Sequence, residues 1–141
     1  SQYISGMMFA LSALNGKSVI NITTKLESRS YIDLTISALN AFGIKSYFEN
    51  DNKIIVFGGT FTPQNVVVEG DYSNAAFLDA FNYIGGSIKV SNLNKDSLQG
   101  DKIYLEYFKK SYASKKHTLP VSNVIPAFIF ALSSVLSLIR W

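Results

Sequence analysis

The sequence predicts a mixed α+β fold built from a repeated unit of about 70 residues and incomplete at both ends, and three observations predict it. "NGKSVINITTKLES" (Asn15–Ser28) resembles "IGGSIKVSNLNKDS" (Ile84–Ser97) at a constant offset, with Gly16 opposite Gly85 and Ser18 opposite Ser87. "FALSAL" (Phe9–Leu14) returns as "FALSSV" (Phe130–Val135), both times inside an apolar helical stretch. Each longer copy reads as helix, glycine stop, β-branched strand, short polar loop and second helix. Two partial units and one unmatched helix do not close a fold, so both ends read as cut ends.

Taken in order, "SQYISG" runs directly into "MMFALSALNG". Free termini are usually frayed and polar, so an apolar helix at the very start, centred on Met7–Leu14, is expected of a chain cut from a longer one. A β-branched strand follows Gly16. Ile32, Ile36, Leu39 and Phe42 then fall at i, i+4, i+7 and i+10, which gives one apolar face of a helix that stops at Gly43. "KSYF" and "KIIVF", separated by "ENDN", have the pattern of a β-hairpin. "GGTFTPQN" (Gly58–Asn65) is rich in turn formers, and "VVVEGD" (Val66–Asp71) leaves it as an expected strand. A domain boundary near Glu69–Asp71 divides 1–69 from 70–141. The second part predicts a helix over Ser73–Ile84, a strand over Ser87–Ser91 and a helix over Leu98–Lys110 bearing Ile103, Leu105 and Phe108.

The last segment, "VIPAFIFALSSVLSLIRW", carries no charge between Leu119 and Ile139. A membrane anchor is one reading. The run from Val124 to Ile139 is only about 16 residues, short of the ~20 that a span needs, and it holds Pro126 and three serines, which favours a buried helix of a longer protein.

Composition narrows the function classes. The chain has 141 residues, 48% of them hydrophobic, enough for a real core. Its net charge of +3 is spread along the chain, which argues against a nucleic-acid-binding arm and leaves small acidic ligands open. No cysteine and one histidine, His117, provide neither a disulfide framework nor a Cys/His metal cluster, and no cofactor is expected. Met7–Leu14 is not preceded by a cationic stretch, so no signal peptide is read and a cytoplasmic location is expected. Phosphate-cradling GxxxxGK[ST], nucleophile-elbow GxSxG and metal-binding HExxH motifs are absent. "EGD" (Glu69–Asp71) could be a carboxylate pair for acid/base work, but Asp71 ahead of a helix is more simply an N-cap.

Two helix starts carry the polar residues of most interest. Ser1 and Gln2 open the first helix, and Ser28, Arg29, Ser30 and Tyr31 open the second. Helix N-termini present unpaired N–H groups with partial positive charge, so added Ser, Gln and Tyr donors would suit a phosphate or carboxylate. Ordinary capping, with Ser30 and Asp33 forming an approximate capping box, accounts for the spacing equally simply and is the reading that spacing alone prefers.

"SQYISGMMFAL", "LESRSYIDLTISALNAFGI", "VEGDYSNAAF" and "NKDSLQGDK", in this order over Ser1–Lys102, resemble the middle of the 3-phosphoshikimate 1-carboxyvinyltransferases, the enolpyruvyl transferases of the shikimate pathway. The related UDP-N-acetylglucosamine enolpyruvyl transferases share the fold, but the Ser-Gln start and the Ser-x-x-Tyr pair resemble the shikimate branch. The resemblance implies a two-domain protein of six βαβαββ units, about three times this length. The chain would then hold the end of the N-terminal domain (1–69) and the start of the C-terminal one (70–141). It implies transfer of the enolpyruvyl group of phosphoenolpyruvate to the 5-hydroxyl of shikimate 3-phosphate, with Ser1, Gln2, Ser28 and Tyr31 holding shikimate 3-phosphate. A further serine precedes the Ser-Gln pair in the family. The family's catalytic lysine, arginine and acidic residues lie outside the matched segment, so no catalytic residue is expected here. Where the family has an aspartate after a proline, Pro126 is followed by Ala127. The competing reading is a non-catalytic anion-binding or scaffold module with the same fold. Self-association is expected, and neither nucleic acid nor membrane is expected as a partner.

Overall fold

A computed structural model of the chain describes residues 2–83 and 85–114. Ser1, His117, the second "FALSSV" copy and the Pro126–Ala127 segment lie outside the described residues. The architecture is mixed: helices and one small antiparallel sheet, an α+β arrangement, in two compact units that divide between Val67 and Val68.

The first unit is ordered α1 (Gln2–Ser12), β1 (Gly16–Asn21), α2 (Arg29–Ala41), β2 (Ser46–Asn50) and β3 (Lys53–Gly58). Its sheet has the order β1-β3-β2, with β3 antiparallel to both neighbours. Being central, β3 is covered on both faces, which is why its "IIV" run is continuously apolar and fully buried instead of alternating. Ile54 and Val56 face a core made with Met8, Ile20, Ile32, Leu39 and Ile44, while Ile55 pairs across to Val19 and Tyr47 on the other face. The expected hairpin forms: Asn50 Oδ1 accepts from the Asn52 amide at 3.0 Å and closes the turn between β2 and β3.

Helix α2 stops as its sequence predicts. The Ile44 amide bonds back to Leu39 O at 2.9 Å and Gly43 adopts φ +85°, a conformation that side chains disfavour. Asn40 then clasps the entry of β2, its amide donating to Ser46 O at 3.0 Å and its Oδ1 accepting from Ser46 N at 2.7 Å. At the same end of the sheet the last turn of α1 and the residues after it lie so close to β3 that a Cβ on Gly58 would collide with the carbonyl oxygens of Leu11 and Leu14.

In the second unit α3 (Tyr72–Tyr83) packs on a 3-10 turn (Gly100–Ile103) and α4 (Tyr104–Ser114). Its core is aromatic: Tyr104 stands edge-on to Phe108 at 5.6 Å between ring centroids, and Tyr72 tilts against Tyr104 at 6.3 Å. The Tyr104 hydroxyl donates to Asp79 Oδ2 at 2.6 Å, and burial raises its pKa well above the usual tyrosine range.

Two expected strands do not form. Val66–Asp71 and Ser87–Ser91 are irregular, because a strand exists through its ladder and neither segment has a ladder partner among the described residues. Val67 and Val68 are accordingly 94% and 81% exposed. The helix expected from Leu98 starts at Tyr104 instead, after the 3-10 turn, because Ser97 and Gln99 are engaged in side-chain bonds that hold the backbone extended at Gln99.

Gly58→Ala is expected to lower stability by about 3 kcal/mol, since the obstructing atoms are backbone carbonyls that cannot turn aside. Ser46 is buried and its Oγ makes no hydrogen bond among the described residues, so Ser46→Ala should leave stability unchanged or raise it by up to about 1 kcal/mol. Urea unfolding midpoints of the two variants read both outcomes.

Candidate anion-binding site

The two helices of the first unit run the same way. Both end at the sheet edge that holds Gly16, Ser46 and Gly58, where Gly59 N bonds to Ser12 O and Phe57 N to Lys45 O. Both therefore start at the opposite end, beside Asn21, Lys53 and the β2–β3 turn. A hydroxyl bridge fixes their spacing: Ser5 Oγ lies 2.8 Å from Thr35 Oγ1, and Thr35 Oγ1 donates to Tyr31 O at 2.9 Å. Gln2 sits one turn before Ser5, and Ser28 and Tyr31 precede Thr35 by one to two turns. Topology thus puts Gln2, Ser28 and Tyr31 at one end of the unit; Ser1 lies outside the described residues.

Ser28 is the N-cap of α2, yet its φ of 56° and ψ of 49° are left-handed and its side chain makes no capping bond. Such a conformation costs a non-glycine residue on the order of 1 kcal/mol, and a serine at N-cap normally offsets it by bonding the helix amides. Here the hydroxyl does no capping. The Ser30–Asp33 capping box suggested by spacing is not what forms: Ser30 is already inside the helix, and Asp33 turns to Arg29 at 3.9 Å. Arg29 is committed elsewhere, its guanidinium 4.1 Å from the centre of the Phe48 ring and 2.8 Å from Asp51 Oδ1, which ties the start of α2 to the hairpin.

The second unit has a polar cluster of its own. Asp71 Oδ1 accepts from Ser73 N at 2.8 Å, the N-cap role that its position suggested. Glu69 Oε1 accepts from Ser97 Oγ at 2.5 Å and Gln99 Nε2 at 2.9 Å, and these bonds, Ser97 foremost, hold its carboxyl below the usual carboxylate range. Sequence reasoning passed over Gln99; the signal available was its place in "NKDSLQGDK". Among the described residues no group of His, Cys, Asp and Glu could hold a metal ion, and no helix is long and apolar enough to cross a membrane.

Comparison with known proteins adds independent information. The family model described as EPSP synthase (3-phosphoshikimate 1-carboxyvinyltransferase) matches residues 1–118. A 3-phosphoshikimate 1-carboxyvinyltransferase of Clostridium botulinum is 44% identical over 111 residues, covering 78% of this chain and 26% of that protein. The enzyme of that name from Clostridium acetobutylicum is 45% identical over 134 residues, 84% of this chain and 30% of the relative. Clostridioides difficile supplies another at 40% over 111 residues, 78% of this chain and 25% of the relative. The chain thus spans between a quarter and a third of the length of these relatives.

Glycine accepts the left-handed backbone at position 28 without strain, so Ser28→Gly should be as stable as the native chain or more stable by up to about 1 kcal/mol. Thermal unfolding of this variant beside Ser28→Ala tests the point: a marked loss of stability in the glycine variant would show that the serine hydroxyl is structural.

Proposed function

Because the chain belongs to the EPSP synthase family, we propose that it is a segment of a 3-phosphoshikimate 1-carboxyvinyltransferase and supplies part of the surface that holds shikimate 3-phosphate. The observation that carries the reading is Ser28: a strained N-cap whose hydroxyl is not used as a cap is arranged for a ligand instead of for its own helix. A phosphate at this end would meet the Ser28 and Tyr31 hydroxyls, the Gln2 side-chain amide and the first amides of α2, and the family resemblance adds Ser1, which lies outside the described residues. These groups bind and orient the ligand. Moving the enolpyruvyl group from phosphoenolpyruvate to the 5-hydroxyl of the bound sugar acid needs acid/base groups and cationic clamps that the resemblance assigns to other parts of the family's length.

The finer architecture belongs to the same proposal. We read 1–69 as the end of one domain and 70–141 as the start of the next, each built on the βαβαββ plan. Support comes from Gly16 and Gly85, which stand at the same place in the repeat with φ of 102° and 112°. Exposed Tyr3, Met7 and Phe9 on α1, and Phe77, Leu78 and Phe81 on α3, are faces that other units of such a protein would cover, and they favour self-association of this chain alone. A cytoplasmic location goes with the same reading.

Two or three hydrogen bonds to a charged group, set against the entropy of immobilising the ligand, give an affinity on the order of 1 mM. In a chemical-shift titration, shikimate 3-phosphate should move the amides of Ser28–Tyr31 first, and Ser28→Ala should abolish the response. Shifts confined to Lys109–His117 would mean that a basic segment binds anions unspecifically. With phosphoenolpyruvate and shikimate 3-phosphate together, the 141-residue chain should release no phosphate above a protein-free control, and turnover that survives repurification would contradict the assignment of chemistry to other parts of the family's length.

A further inference from the structure

The repeat that places Gly16 opposite Gly85 also places Ser28 opposite Ser97. Burial follows the same offset: Ile32 and Thr35 are buried on α2, and Asp101 and Tyr104 are buried after Ser97. A serine hydroxyl of the earlier helix also meets the later element in each unit, at positions the repeat does not pair: Ser5 with Thr35 at 2.8 Å and Ser73 with Asp101 Oδ2 at 2.5 Å. The two serines nevertheless differ in what they hold. Ser28 is half-buried and does not cap its helix, whereas Ser97 is only 7% exposed and donates to the Glu69 carboxylate.

The groups around that carboxylate are those expected of an anion site. Ser97 Oγ and Gln99 Nε2 both donate to Glu69 Oε1. Gln99 is fixed in turn: its Nε2 also donates to Gly70 O at 2.9 Å, its Oε1 accepts from Tyr72 N at 2.8 Å, and its own amide bonds to Ser97 Oγ at 3.1 Å. The Lys102 ammonium, held on Ser97 O at 3.2 Å and Lys95 O at 2.7 Å, supplies a positive charge close by. Neutral donors locked by other bonds, with a cation nearby, are a preorganised cradle for one negative charge.

We propose that Glu69 is the built-in occupant of a second anion position: its carboxylate fills, in the second unit, the place that Ser28 offers to a ligand in the first, and closes Ser97 to external anions. The inference rests on reading the two units as copies. It explains why one of two repeat-related serines is left for substrate while the other is structural. Removing the carboxylate should therefore expose a site for a small carboxylate anion.

The test uses the full 141-residue chain and its Glu69→Ala variant, with unfolding midpoints measured in formate, acetate, phosphate and chloride at matched ionic strength. Glu69→Ala should be less stable than the native chain in chloride. Formate and acetate should recover at least half of the lost shift in midpoint, with half-saturation between about 10 and 100 mM, as expected for a few hydrogen bonds to a mobile anion. Phosphate should recover less, because the cradle is sized for a carboxylate. The native chain and the double variant Glu69→Ala/Ser97→Ala should not respond to formate or acetate beyond chloride, whereas any effect of phosphate at the Ser28 end should be common to all three chains. If Glu69→Ala does not fold in chloride, formate should restore folding. Equal responses of native and variant chains to formate and acetate, or a variant that neither loses stability nor gains folding from formate, would overturn the proposal. Amides of Ser28–Tyr31 report on shikimate 3-phosphate separately, so failure there leaves this result readable, and the converse holds.

Discussion

The hydroxyl of Thr35 is the point on which the first unit turns. It meets Ser5 across the helix pair and Tyr31 O along its own helix, so one buried oxygen sets the distance between α1 and α2 and the position of the turn that carries Tyr31. Below it, the apolar faces of both helices close on β3, and Gly58 lets α1 approach to backbone contact. A candidate site formed from the first turns of two separate helices can be no better defined than their spacing. Polar groups at the interface of α1 and α2 thus matter more to the site than their few hydrogen bonds do to stability.

Strain and satisfaction are distributed unevenly. The first unit keeps an N-cap in a left-handed conformation and leaves its hydroxyl without a capping role. In the second unit Ser97 donates to the Glu69 carboxylate, and Tyr72, Ser73, Gln99 and Tyr104 are all hydrogen-bonded. On the proposed reading of the two units as copies, a local rule broken at Ser28 and obeyed at Ser97 is what a division of labour between ligand recognition and structure would produce.

Much of this was legible in the residues. The periodicity of Ile32, Ile36, Leu39 and Phe42, the glycine stop at Gly43 and the "ENDN" hairpin depend on interactions a few residues apart, and they form as expected. The α+β class and the candidate residues Gln2, Ser28 and Tyr31 also came from local pattern and resemblance. Val66–Asp71 and Ser87–Ser91 carry β-branched residues but lack a neighbouring strand among the described residues, and β-propensity cannot supply a ladder. Likewise invisible were the left-handed backbone of Ser28, a conformation that a serine rarely adopts, and the bond from Ser97 to Glu69, which joins residues far apart in the chain.

The most direct measurement of the central claim is the affinity of Thr35→Val for shikimate 3-phosphate, because this near-isosteric change removes the bridging hydroxyl, with its bonds to Ser5 and to Tyr31 O, and leaves every side chain assigned to the ligand in place. With the β1–β3 amide shifts unchanged, confirming an intact sheet, the affinity should fall at least threefold relative to the native chain, roughly the effect of losing half a hydrogen bond's worth of positioning. An unchanged affinity would contradict the claim that the helix pair holds the site together.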